Sequence, residues 1–250
     1  MKTAIITGAS TGVGLEFVKQ IREFFPEIQE YWVIARRLDR LQAISVPGIV
    51  IKPLPLDLTD PAAITTLQAE LAIARPTVSL LIGNAGCGYL GNFDESDLDE
   101  QLRMVDLNIR ALTAVTHAVL PYMEQGGRII NLSSIASFVP NPRMTIYSAT
   151  KSYVSAFSRG LHEELKPRQI SVTAVCPGPM DTEFIQAGRI KGHSKTFDIL
   201  PYCDPVKVVH GSLLAAKKHR AAYTPKGFYK FYRVLSSLVP HAIMIKFAKT

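Results

Sequence analysis

The sequence predicts an α/β fold: a doubly wound, mainly parallel sheet of about seven strands with helices on both faces. Three observations predict it. Short apolar runs alternate with longer segments of helical periodicity along the whole chain, the pattern of repeated strand–helix–strand units. Those runs are rich in Val and Ile and apolar on both sides, as strands become when helices cover both faces of a sheet. The first run also enters a glycine-rich turn that leads straight into a helical pattern.

Thr3–Thr7 reads as the first strand and Gly12–Phe24 as the helix after it. Glu30–Ala35 and Ile49–Leu54 follow as strands. The helix Asp60–Ala74 starts on an Asp N-cap with Pro61 in its first turn, a combination that leaves no N–H unsatisfied at that position. Val78–Ile82 is the fourth strand, Asp97–Leu120 a long helix and Arg128–Leu132 the fifth strand. Thr145–Lys166 is again helical, Ile170–Cys176 extended, and Asp204–Lys217 helical before a short strand at Ala221–Thr224. No internal repeat, low-complexity tract or long linker divides the chain, so residues 1–250 are expected to form one domain.

Of the 250 residues 47% are hydrophobic and 20% charged, the balance of a soluble globular protein. No run approaches the roughly 20 apolar residues that span a bilayer. The N-terminus enters the first strand with no apolar signal region, which predicts a cytoplasmic protein. Cys87, Cys176 and Cys203 lack metal-ligand spacing and read as reduced thiols, and no metal site is expected. The formal charge is +7, yet Pro205 to Thr250 holds seven Lys, two Arg and no acid, so this tail carries +9 and the remainder −2. No nucleic-acid reading motif accompanies it, and no nucleic-acid partner is expected.

The first turn reads Thr7-Gly8-Ala9-Ser10-Thr11-Gly12-Val13-Gly14. Such a turn lets backbone N–H groups approach a pyrophosphate at the positive end of the following helix. Gly8 permits the turn, Gly12 the close approach and Gly14 the packing of helix on sheet. An acid after the second strand would accept a ribose 2′-hydroxyl and repel a 2′-phosphate. Here the strand ends in Ala35-Arg36-Arg37 instead. Arg36, with Arg37 beside it, offers guanidinium donors to a phosphate, so the expected cofactor is NADP(H).

Tyr147 and Lys151 stand four residues apart on one helix and share a face. A phenol loses its proton near pH 10, too high for acid–base work at neutrality. A neighbouring ammonium favours the phenolate and lowers that value.

Together these motifs resemble the short-chain dehydrogenase/reductase family, in its NADP-preferring form, over nearly the whole chain. Gly8 to Gly14 is similar to the family's glycine turn, and Tyr147 to Lys151 to its YxxxK. Ser134 lies thirteen residues before the tyrosine, Gly83-Asn84-Ala85-Gly86 stands where the family has NNAG, and Asn108 matches its helix asparagine. Pro177-Gly178-Pro179-Met180-Asp181-Thr182 matches its Pro-Gly motif. The resemblance implies a Rossmann-like fold, with Asn108, Ser134, Tyr147 and Lys151 as the catalytic set. In it Tyr147 passes a proton to or from the substrate oxygen and Ser134 hydrogen-bonds that oxygen. Lys151 lowers the tyrosine pKa and holds the nicotinamide ribose, and Asn108 fixes a water behind the lysine. Asp57 and Leu58 meet the adenine, Asn84, Ala85 and Gly86 line the adenosine ribose, and Pro177, Gly178, Met180 and Thr182 meet the nicotinamide. Ser133 is the alternative to Ser134, and a tie between helix and strand is the alternative role for Asn108. A homo-oligomer, dimer or tetramer, is also implied.

Residues 183–203 have little regularity and are expected to form a substrate lid. Phe184, Ile185, Phe197 and Leu200, with Tyr89, Leu90, Phe138 and Met180, suggest a hydrophobic ketone or alcohol such as a steroid, fatty-acyl or other lipid-like carbonyl. A membrane-associated lipid-precursor or 3-oxoacyl reductase is the alternative, and a non-catalytic dinucleotide-binding regulator is the rival class. In residues 226–250, Phe228, Phe231, Tyr232, Leu235, Leu238 and Val239 recur at helical spacing among Lys226, Lys230 and Arg233 until Pro240 interrupts. This basic segment reads as a helix packed on the domain or on a partner subunit, or as a peripheral contact with an anionic membrane.

Overall fold

The computed structural model describes residues 1–190, 192 and 194–248. Lys191 and His193 of the expected lid, and Lys249 and Thr250 of the basic tail, lie outside the described residues. In chain order the elements are β1 (Lys2–Thr7), α1 (Gly12–Phe24), β2 (Ile28–Ala35), α2 (Leu38–Gln42), β3 (Val50–Pro55) and α3 (Pro61–Ala74). The middle of the chain forms β4 (Thr77–Gly83), α4 (Leu98–Val105), α5 (Leu112–Val119), β5 (Met123–Leu132), α6 (Thr145–Glu164) and β6 (Ser171–Val175). The remainder forms α7 (Glu183–Ala187), α8 (Lys195–Ile199), α9 (Pro205–Lys217), β7 (Ala222–Tyr223), α10 (Gly227–Leu238) and α11 (His241–Phe247).

The strands make one seven-stranded sheet in the order β3-β2-β1-β4-β5-β6-β7, and every neighbouring pair is parallel. Side chains alternate across it. Ala4, Ile6, Tyr31, Val33, Leu80 and Ile82 face the layer that holds α1 and α9. Ile5, Trp32, Ile34, Leu81 and Ile129 face the layer that holds α3 and α5. Both faces are buried, which is why these strands read as continuous apolar runs. The strand order reverses between β1 and β4, so their carboxyl ends open a crevice with no connection running across it.

Helix starts follow the side-chain capping expected of them. Asp60 accepts the Ala62 N–H at 2.9 Å with Pro61 in the first turn, and Asp204 accepts the Val206 N–H at 2.9 Å with Pro205 next. The expected helix Asp97–Leu120 runs without a break but changes pitch. It divides into α4, a wider π-helical turn over Asp106–Ala111 and α5. Asn108 sits in that turn with its amide committed sideways to another segment, and apolar periodicity carries no record of such a bond. β5 also begins earlier than Arg128, at Met123, because Gly126 at φ +79 lets the strand bend past a register shift. The expected irregular lid contains two short helices, α7 and α8.

Gly83 explains its own departure from the family motif. A Cβ there would lie 2.5 Å from both Asn131 Oδ1 and Leu112 Cδ1, so the strand end is built for hydrogen alone. Gly83→Ala should lower the unfolding free energy by about 1–3 kcal/mol through overpacking, read as an earlier urea midpoint. An unchanged midpoint would contradict this packing.

Candidate active site

The crevice continues into a cleft of about 560 Å³ at the carboxyl ends of the strands. Its floor is the first turn. Gly8 and Gly12 take φ +66 and +53, values that favour glycine. A Cβ on Gly14 would overlap the Gly8 carbonyl. Thr7 Oγ1 accepts the N–H groups of Asn84 and Ala85 at 3.0 Å each and donates to the Ile82 carbonyl at 3.1 Å. The Asn84 amide donates to the carbonyls of Thr7 and Gly8 at 3.0 and 3.2 Å. These bonds bind β1 to β4 and leave the N–H groups opening α1 without a side-chain cap.

Along α6, Tyr147 and Lys151 point toward the end of β5. Lys151 Nζ donates to the Leu132 carbonyl at 2.8 Å and lies 5.8 Å from the centre of the Tyr147 ring. Tyr147 and Ser134 line the same cleft, and the Ser134 hydroxyl acts on the phenol. Ser134 Oγ accepts the Ala136 N–H at 3.1 Å, which leaves its hydroxyl proton to donate. Ser133 turns the other way, donating to the Lys151 carbonyl at 2.8 Å and meeting Ser155 Oγ at 2.8 Å. Over the Tyr147 ring sits Phe184 of α7, ring centres 5.7 Å apart. A Cβ on Gly88 would come within 2.7 Å of both rings, so that glycine lets the loop close on them.

Residues 2–191 match the profile of the short chain dehydrogenase family. The chain belongs to that family. It is 38% identical over 182 residues to a probable NADP-dependent dehydrogenase of Haemophilus influenzae, covering 70% of each chain. It is 34% identical over 205 residues to the serine 3-dehydrogenase of Rhizobium radiobacter, covering 79% of each. A short-chain dehydrogenase from Sphingobium yanoikuyae, solved in complex with NADPH, superposes with a TM-score of 0.78 at 28% identity, covering 97% of this chain and 98% of that one. The protein is thus an oxidoreductase of the nicotinamide-dependent kind.

In this short-chain dehydrogenase the cleft wall collects nearly every residue expected at the cofactor. Gly8, Ser10, Thr11, Gly12, Val13, Arg36, Arg37, Asp57 and Leu58 line one end. Asn84, Ala85, Gly86, Ser134, Tyr147, Lys151, Pro177, Gly178, Met180 and Thr182 line the rest. Gly14 and Asn108 do not. Gly14 is spent on packing the helix against the turn. Asn108 is 2% exposed and lies behind the wall. Its Oδ1 accepts the Cys87 N–H at 2.9 Å, and its Nδ2 donates to the Cys87 carbonyl at 2.8 Å and to Thr150 Oγ1 at 3.0 Å. Both amide protons are used, so only a lone pair of Oδ1 is open to a water.

Other positions shift roles. Arg37 is held by Glu183 at 3.1 Å, and Arg40 reaches the same carboxylate at 2.8 Å. Arg36 lines the cleft and makes no ion pair among the described residues. Asp57 is folded onto its neighbour, accepting Thr59 N–H and Oγ1 at 3.0 and 2.7 Å. Burial alone would raise its pKa, but those bonds and the charges of Arg103 and Arg36 hold it below the ordinary carboxylate value. Phe138 and Leu90, expected at the substrate, do not line the cleft. Phe138 packs behind it against Tyr232, and Leu90 packs in the apolar cluster around Met104 and Met144. The cleft also holds residues that motif spacing does not mark: Cys87, Arg103, Met144, Phe228, Tyr229 and Tyr232. Helical periodicity in the tail was the one available sign of the last three.

Burial dominates the electrostatics. It pushes Tyr147 up to about 12, with the neighbouring Ser134 hydroxyl working against it. It brings Lys151 down to about 8. In the protein alone burial therefore moves the tyrosine opposite to the lowering expected from the lysine. Above about 8 the folded lysine has lost a proton that the unfolded chain, with an ordinary lysine value of 10.5, still holds. Stability therefore rises with pH across that window. Relative to Lys151→Met, the wild type should gain up to roughly 3 kcal/mol between those pH values, read by urea unfolding. A constant difference would contradict a depressed Lys151.

Proposed function

We propose that this short-chain dehydrogenase interconverts a ketone and a secondary alcohol on a hydrophobic substrate, using NADP(H). The observation that carries the reading is that Tyr147, Ser134 and Lys151 line one cleft together with apolar side chains, the Ser134 hydroxyl acting on the phenol. The nicotinamide, when bound, supplies or accepts the hydride. Tyr147, kept protonated by burial, is suited to give its proton to a carbonyl oxygen. Ser134 has a free hydroxyl proton for the same oxygen, where negative charge develops. Lys151 spends one N–H on Leu132 and keeps the others for ribose hydroxyls. Asn108 is a positioning residue in this reading: it fixes Cys87 and the loop behind the lysine.

Arg36 favours NADP(H), since the neighbouring Arg37 is engaged by Glu183 while Arg36 faces the cleft without a carboxylate partner among the described residues. The relative named as NADP-dependent and the neighbour bound to NADPH support this. Phe184, Phe197, Leu200, Phe228 and Tyr232 line the rest of the cleft. That wall favours a lipid-like carbonyl over a small polar one such as serine, and residues 183–203 act as its lid. A homo-oligomer is supported by Leu98, Leu102 and Val105, which stand exposed along α4 at the spacing of one helix face.

Tyr147→Phe should bind NADPH as the wild type does, by fluorescence titration, while turnover of hydrophobic ketones falls at least about a thousandfold. Retained turnover would remove Tyr147 from the proton transfer. Arg36→Ala should weaken NADPH at least about tenfold and leave NADH affinity unchanged. Equal losses for the two cofactors would contradict the 2′-phosphate assignment.

A further inference from the structure

The C-terminal segment is not accounted for by catalysis alone. α10 turns different residues in different directions. Tyr229 and Ser236 are buried, and Tyr229 Oη donates to the Pro201 carbonyl at 2.9 Å. Phe228, Phe231, Val234 and Leu238 recur every three or four residues on the outer side and stand in solvent, Phe231 67% and Leu238 77% exposed. Lys226 and Lys230 are exposed around that stripe, and α11 adds exposed Ile243 and Lys246. No Asp or Glu follows Asp204. A contiguous patch of large apolar side chains rimmed by one sign of charge marks an interaction surface.

We infer that the outer face of α10 and α11 docks the protein on an anionic lipid surface. Charge decides among occupants. Two copies meeting through this face would set two acid-free basic surfaces against each other. A copy offering the acidic end of α4, with Asp97 and Asp99, would make a head-to-tail contact, which builds a ring or a filament rather than a closed pair, and Glu100 there is already engaged by Arg189. An anionic bilayer meets both halves of the face, with acyl chains for Phe231, Val234 and Leu238 and phosphates for Lys226 and Lys230. Among the described residues no helix is long and apolar enough to cross a membrane, so α10 lies along the interface. Phe228 belongs to this face and also lines the cleft, so docking sets the cleft beside the lipid. The inference stands apart from the reductase reading, because binding is measured without turnover.

The test is co-sedimentation of the full chain with vesicles of phosphatidylcholine alone and of equimolar phosphatidylcholine and phosphatidylglycerol. The wild type should sediment with the anionic vesicles at low salt and release at about 1 M salt, where screening reaches about 3 Å. Lys226→Gln with Lys230→Gln should weaken this partitioning at least about tenfold. Phe231→Ser with Leu238→Ser should also weaken it more than about tenfold, with NADPH binding unchanged as evidence of folding. Absence of wild-type binding to anionic vesicles, or equal binding to neutral ones, would overturn the inference. So would an oligomer dissolved by Phe231→Ser with Leu238→Ser in the absence of vesicle binding, which assigns the face to a second copy.

Discussion

The ammonium of Lys151 lies 6% exposed at the end of β5, where a charge is costly unless donors and acceptors are arranged around it. Among the described residues its hydrogen-bond partner is the Leu132 carbonyl, at the last residue of β5, and Ser133 and Ser134 follow directly. Ser133 holds the lysine's own backbone, and Ser134 reaches the tyrosine one helical turn earlier. The strand end and the helix are thereby locked in register, and the reacting groups inherit their positions from that lock. Burial also keeps the phenol protonated. This is the state a proton donor needs before the substrate arrives.

The cleft exists because the strand order reverses between β1 and β4, and it stays narrow because small residues line the closest approaches. Gly8 and Gly14 let the first turn sit on the Asn84–Ala85 backbone. Gly86 faces Asn108 and Lys151, and Gly88 lies under Tyr147 and Phe184. Thr7 gathers three hydrogen bonds at the junction. Each contact spends a side chain on holding backbone in place, and Asn84 on the cleft wall and Asn108 behind it both serve as such ties. Such preorganisation matters where small displacements cost rate.

The sheet and its helices were legible in the sequence because alternating apolar runs and capped helix starts are local properties. The cofactor end was legible for a similar reason: glycines, arginines and the Tyr147–Lys151 spacing occupy short stretches of chain. What escaped depended on contacts between distant segments. The π-helical turn at Asn108 follows from bonds to Cys87 and Thr150, and the engagement of Arg37 follows from Glu183, 146 residues away. The tail wall of Phe228, Tyr229 and Tyr232 reaches the cleft only after the whole sheet has formed. Phe138 was misplaced because its apolar character fits a core as well as a pocket, and only packing against Tyr232 separates the two.

The central claim is that Tyr147 becomes an acid–base group only when positive charge joins it in the cleft. Ultraviolet difference titration of tyrosinate, comparing the wild type with Tyr147→Phe, isolates this residue. The account predicts a signal near 12 in the protein alone that moves well down toward neutrality when NADP+ is added. A Tyr147 signal that stays in place with NADP+ saturating the protein would contradict it.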